Sequence, residues 1–114
     1  MSERDAKVFL QDMLEAGRRI LTYTMGQDYT AFRKDFKTQD AVLRNLEILG
    51  EAAKHIPEEL SAQYPALPWR EMAGTRDRLI HQYFGVNLDV VWGIVKMELP
   101  GVVTELEVIL GEEK

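Results

Sequence analysis

Apolar residues recur at helical spacing along most of the chain. Ala6, Phe9, Leu10, Met13, Gly17, Ile20 and Leu21 follow the period of one buried helical stripe. Ser2 with Asp5 three residues on is a capping-box-like start, and Met25-Gly26-Gln27-Asp28 predicts the stop. A short helix is expected over Tyr29–Phe36, with Phe32 and Phe36 paired at i,i+4. Thr38 is expected to cap the next helix, roughly Gln39–His55, with Asp40 favoured in its first turn by the helix dipole. Val42, Leu46, Leu49 and Ala53 form its apolar side, and Arg44, Glu47, Glu51 and Lys54 form a polar stripe. Gly50 interrupts this helix pattern. Glycine inside a helix costs about 1 kcal/mol relative to alanine, so its presence predicts the close approach of another backbone.

Residues Pro57–Tyr64 can make a short helix, and Pro65-Ala-Leu-Pro68 reads as a turn. The spacing then predicts one helix over Trp69–Gly85. Pro68 suits a helix start, where its missing N–H loses nothing, and Gly85 suits a left-handed C-terminal residue. Asn87 can cap the last helix, whose apolar face is Leu88, Val91, Trp92, Val95 and Leu99. Pro100-Gly101 is expected to break or kink it before Val102, Val103, Leu106, Ile109 and Leu110 resume the period. No stretch reads as a strand, an internal repeat or a low-complexity tract. The expected fold is all-α, a single domain over residues 1–114 built as a bundle of about four or five main helices.

Composition narrows the function classes. The 114 residues are enough for one core. The absence of cysteine excludes disulfides and thiolate zinc sites. The charged start Met-Ser-Glu-Arg-Asp is unlike a signal peptide, and no run approaches the roughly 20 apolar residues of a membrane span. The expectation is a soluble, cytoplasmic protein without membrane association. A net charge of −5 argues against broad, charge-driven nucleic-acid binding, and no DNA partner is expected. The acid is uneven, however. From Phe84 onward Lys96 and Lys114 face Asp89, Glu98, Glu105, Glu107, Glu112 and Glu113. A local basic cleft around Arg76 and Arg78 stays open.

Candidate chemistry concentrates in Arg76, His81 and Tyr83. On a straight helix, at about 100° per residue, Arg76 and Tyr83 share a face, His81 falls roughly 140° from Arg76, and Asp77 shares the face of His81. Arg76 and His81 would then converge only if the helix bends near its end, or if two copies meet across an interface. Two readings stand side by side. Tyr83 with Leu79 and Ile80 could be core while Arg76 pairs with a carboxylate such as Glu47. Alternatively the set serves phosphodiester chemistry, with histidine moving a proton and arginine holding a phosphate oxygen. His55 suits the C-terminal end of its helix, where its charged form meets the dipole. The stripe Arg44, Glu47, Glu51 and Lys54 is either a solvated face or a polar network supporting the Arg76 site. Two histidines on separate elements, without a His-Glu-x-x-His or Asp-rich loop, make a weak metal case. There is no P-loop, dinucleotide fingerprint or nucleophile elbow.

Three segments together resemble a known family: Thr38-Gln-Asp-Ala-Val-Leu-Arg-Asn-Leu-Glu-Ile-Leu-Gly-Glu-Ala-Ala-Lys; Tyr64-Pro-Ala-Leu-Pro-Trp-Arg-Glu-Met-Ala-Gly-Thr-Arg-Asp-Arg-Leu-Ile-His-Gln-Tyr-Phe-Gly-Val; and Asp89-Val-Val-Trp. In order and spacing they resemble the HepT-like members of the HEPN superfamily. The resemblance implies an all-α homodimer and a metal-independent endoribonuclease toxin without a cofactor. Its partner would be a minimal nucleotidyltransferase antitoxin, usually encoded next door. The family signature Arg-x4-His-x-Tyr falls on Arg76, His81 and Tyr83, making Arg76 and His81 the expected catalytic pair. In some such pairs the antitoxin attaches AMP to the tyrosine, here Tyr83. Asp77 stands where the family often has asparagine. Asp77, Tyr83, Arg44, Asn45, Glu47 and Glu51 are the expected supporting residues. RNA supplies its own nucleophile, the 2′-hydroxyl. Competing expectations are a non-catalytic helical dimer that binds a nucleotidyltransferase or a nucleotide, and a purely structural dimer.

Overall fold

A computed structural model describes the backbone of residues 3–81 and 85–111, and the side chains of residues 4–79 and 85–111. Its elements in order are α1 (Glu3–Thr24), α2 (Tyr29–Lys34), α3 (Phe36–Lys54), α4 (Glu58–Ser61), α5 (Trp69–Ala73), α6 (Thr75–Leu79), β1 (Ile80–His81), β2 (Gly85–Val86), α7 (Leu88–Gly93), a π-helical turn (Ile94–Glu98) and α8 (Leu99–Leu110). The fold is all-α, apart from the two short strands. Three long pieces make the bundle: α1, α3, and the continuous rod from Leu88 to Leu110. α1 packs on both α3 and α8, while α5 and α6 pack on α3. No described helix is long and apolar enough to cross a membrane.

The core is the predicted apolar stripes brought together. Met13, Leu14 and Ile20 of α1, Val42 and Leu46 of α3, and Val91, Val95, Leu99 and Leu106 of the rod are fully buried. Gly17 lets α1 and α8 approach, since a Cβ there would lie 2.8 Å from Val103 Cγ2.

Several local expectations change. Ser2 lies outside the described residues. Asp35, not Thr38, caps α3: its carboxylate accepts from Thr38 N at 3.0 Å and Thr38 Oγ1 at 2.6 Å. The helix therefore starts three residues earlier than expected, and α2 ends at Lys34. The Phe32–Phe36 pair is lost with that boundary. Phe32 is fully buried against Trp92, while Phe36 opens α3 with 73% of its surface exposed. These bonds from Thr38 hold the Asp35 carboxyl below the usual carboxylate range. A depressed folded-state pKa stabilises above the unfolded value and is lost as pH falls through the folded one. Asp35→Ala is expected to lower the melting temperature at neutral pH, and the gap from wild type to close as acid titrates the carboxyl. Thermal melts at a series of pH values check this.

Pro100 does not break the last helix. Its ring lacks an N–H and would clash with the carbonyl four residues back. Immediately ahead of it the ladder slips into π register, with Leu99 N–H bonded to Ile94 O, and the rod continues. Asn87 caps the start as expected, accepting from Asp89 N and Val90 N.

The largest change lies in the stretch expected as one helix over Trp69–Gly85. It is two five-residue helices joined at Gly74, followed by an antiparallel pairing of Ile80 with Val86 and His81 with Gly85. Gly85 is left-handed (φ +76°), but in the hairpin rather than at a helix end. Leu79 and Ile80 lead into Tyr83 and Phe84 with glycine next, and this β-branched and aromatic run suits a strand as well as a helix.

Candidate active site

Arg76 is positioned by the joint between α5 and α6. α5 lies on α3 at Gly50, where a Cβ would sit 2.9 Å from Met72 O and 3.4 Å from Thr75 Cβ. This is the close backbone approach that the glycine predicted. Thr75 is buried, and its hydroxyl donates to Met72 O at 2.6 Å, tying the start of α6 to the last turn of α5. Leu79 is buried at the other end of α6. Gly50→Val would force the two backbones apart. Overpacking typically costs about 1–3 kcal/mol, and the better helix propensity returns only a few tenths. A net loss of stability in urea titration is therefore expected, together with a displaced α6.

Arg76 is exposed, and it lines a cleft of about 260 Å³ with Glu47, Gly50, Glu51, Lys54, Ala73 and Thr75. Lys54 Nζ pairs with Glu51 at 3.1 Å. Among the described residues no hydrogen bond or ion pair holds the Arg76 guanidinium, so the pairing with Glu47 is not formed. Its neighbour Arg78 is the opposite case. Nη1 and Nη2 of Arg78 donate to the two carboxylate oxygens of Glu98, at 3.1 and 2.5 Å. The Glu98 bonds push the Arg78 pKa up and hold the group charged. The basic cleft expected around both arginines therefore reduces to Arg76 and Lys54, set against Glu47 and Glu51.

The remaining expected site residues divide. Glu47 and Glu51 share the Arg76 cleft, and they also border a second cavity of about 340 Å³ with Phe9, Asp12, Arg44, Ile48 and His55. Arg44 thus lies on the far side of the two glutamates from Arg76. Asn45 is buried and lines neither cavity. Its Nδ2 donates to Ala41 O at 2.9 Å, and its buried Oδ1 has no partner among the described residues. Asp77 is exposed beside Arg76. His55 ends α3 and stacks on Phe9, with ring centroids 4.7 Å apart.

His81 stands in β1, and only its backbone is described. Tyr83 lies outside the described residues. Because α6 ends at Leu79, the helical angles that separated His81 from Arg76, joined Tyr83 to Arg76 and joined Asp77 to His81 do not apply. The chain turns out of the helix between Arg76 and His81, so no second copy is needed to escape a helical mismatch. Among the described residues no group of three or more His, Asp or Glu side chains could hold a metal ion. The Arg78–Glu98 pair was not foreseen: it joins residues 20 apart on different elements, and no local spacing signals it.

An exposed arginine in a cleft on a short helix, with no partner among the described residues, can receive an anionic oxygen at little desolvation cost. Comparison with known proteins adds the family. The model described as "Ribonuclease HepT-like" matches residues 13–109. A Methanocaldococcus jannaschii protein that carries an RNase name is 44% identical over 110 residues, covering 96% of this chain and 91% of its own. A Thermococcus cleftensis protein named as a ribonuclease HepT is 45% identical over 105 residues, 92% of this chain and 96% of its own. A Caldanaerobacter subterraneus protein, again with an RNase name, is 37% identical over 106 residues, covering 93% and 95%. No solved structure matches the chain at a significant level. With the match running from the middle of α1 almost to the end of α8, the chain belongs to the HepT-like ribonuclease family.

Proposed function

We propose that this ribonuclease cuts RNA internally, without a metal, by in-line attack of the 2′-hydroxyl on the adjacent phosphate. Arg76 binds a non-bridging phosphate oxygen and offsets the charge that grows on it. His81 takes the 2′-hydroxyl proton or donates one to the leaving 5′-oxygen. The new bond joins O2′ to phosphorus as the P–O5′ bond breaks, leaving a 2′,3′-cyclic phosphate and a 5′-hydroxyl end. The observation that carries this reading is the contrast between the two arginines of α6: Glu98 occupies Arg78, while Arg76 faces the cleft without a partner among the described residues. Glu47 and Glu51, which line the cleft, and Asp77, next to Arg76, are supporting residues in this scheme; Arg44 and Asn45, expected in the same role, do not line that cleft. The test is purified protein with end-labelled RNA in excess EDTA. Cleavage with cyclic-phosphate ends is expected, and loss of cleavage on chelation would count against it.

The wider setting follows the family resemblance: a cytoplasmic toxin acting as a homodimer, silenced by a minimal nucleotidyltransferase antitoxin that attaches AMP to Tyr83. Light scattering should then give twice the 13.1 kDa chain mass, and a stable monomer would sink the dimer. AMP on Tyr83 would place a phosphate and a nucleoside two residues from His81, competing with RNA for the cleft. Co-expression with the partner is expected to add the mass of AMP to Tyr83 and suppress cleavage. If Tyr83→Phe, which lacks the acceptor oxygen, still cuts RNA, it should escape silencing by modification; an adduct on another residue would remove Tyr83 from this role.

A further inference from the structure

The segment bearing Arg76 and His81 cannot hold its own geometry. α6 is five residues long, and it runs into a strand of two. Isolated helices shorter than about 12 residues are marginal in water, as is a lone hairpin. The placement of Arg76 and of the backbone at His81 therefore comes from what this segment is fastened to. Gly50 and Thr75 fix it on the α3 side, and Leu79 is buried at the end of α6. At the foot of the hairpin, Asn87 N donates to Leu79 O at 2.7 Å.

The third fastening is the Arg78–Glu98 pair, which is also the one side-chain to side-chain bond that α6 makes among the described residues. Glu98 is the last residue of the π turn, directly ahead of Leu99 and Pro100. Both partners are about one-third exposed, 31% and 34%. A bidentate guanidinium–carboxylate pair fixes orientation as well as distance, because two parallel bonds allow no swivel. The pair thus ties α6 to the rod just before the chain leaves the helix for His81.

We infer that the Arg78–Glu98 pair positions the site: it sets the angle at which α6 presents Arg76 and leads into the strand that carries His81, and it does not itself bind RNA. The inference rests on Arg76 and His81 being the reacting pair. Glu98 takes two of the Arg78 N–H donors and offsets its charge, whereas Arg76 makes no side-chain bond among the described residues. Lysine at position 78 would keep the charge but supply only a point contact.

The test measures kcat and KM on a defined RNA oligonucleotide for Glu98→Gln, Arg78→Lys and the swap Arg78→Glu with Glu98→Arg, with thermal melts of each and amide spectra of the hairpin. Misplacing reacting groups by an ångström can cost about 10²-fold. Both single variants are expected to fold, to lose about tenfold or more in kcat with KM within about twofold, and to shift the His81 and Gly85 amides. The swap should recover most of the loss. Wild-type kcat in Glu98→Gln overturns the inference. So does a loss that the swap does not restore, since Arg78 would then be touching RNA. Unfolding of Glu98→Gln overturns it too, because the pair would be holding up the domain rather than the site. His81→Ala, run alongside, separates the claims. If it cuts like wild type, the reading of the site has failed; if it is inactive while Glu98→Gln keeps full kcat, only the positioning role has.

Discussion

His81→Ala is expected to cut RNA about 10²–10⁴-fold more slowly than wild type, the usual worth of general acid–base catalysis. The loss should fall on kcat, since an imidazole that moves a proton acts in the transition state rather than in substrate binding. The fold should survive, because His81 sits in a two-residue strand and contributes its backbone to the pairing with Gly85, which alanine keeps. Circular dichroism should therefore match wild type while cleavage collapses. Exogenous imidazole offers a further check, as a diffusible base can partly replace the missing ring. A folded His81→Ala protein that cleaves at the wild-type rate would rule out proton transfer by this residue.

Arg76→Ala should lose about 10²–10³-fold, the range seen when a single stabilising donor is taken from a developing oxyanion. Its signature should differ from that of His81→Ala. The guanidinium also meets the ground-state phosphate, so KM should rise as kcat falls, and the salt dependence of RNA binding should weaken with one cation gone. Stability should be nearly unchanged, because the exposed guanidinium has no partner among the described residues. Arg76→Lys should recover part of the binding and little of the rate, since lysine offers a point charge in place of a fork. A large drop in melting temperature for Arg76→Ala would instead mark the residue as structural.

How far the sequence foretold this depends on the range of the interaction. Gly50 was readable because its cost inside a helix demands a compensating contact, and Met72 O supplies it. Asn87 was readable because a cap acts within three residues. The α3 boundary shifted because Asp35 and Thr38 are both good caps, and their mutual hydrogen bonds let Asp35 take the earlier position. The end of α6 was missed because Leu79-Ile80-His81 fits either period, and the glycine that suits a helix end suits a hairpin equally. Arg76 was singled out by the family resemblance, since its spacing with His81 alone left it open between a structural pair and a phosphate ligand. That Arg76 makes no side-chain bond among the described residues, while Arg78 is held by Glu98 20 residues on, could not be read from local spacing.

The proposed reaction requires the 2′-hydroxyl of the RNA as nucleophile. An oligonucleotide carrying a single 2′-deoxy substitution at the nucleotide 5′ to the cleaved phosphate tests it most directly, read by gel against the all-ribose strand in EDTA. Cleavage at that phosphate is expected to disappear while other sites on the strand are still cut. Cleavage at the deoxy position at an undiminished rate, leaving a linear phosphate end, would contradict it.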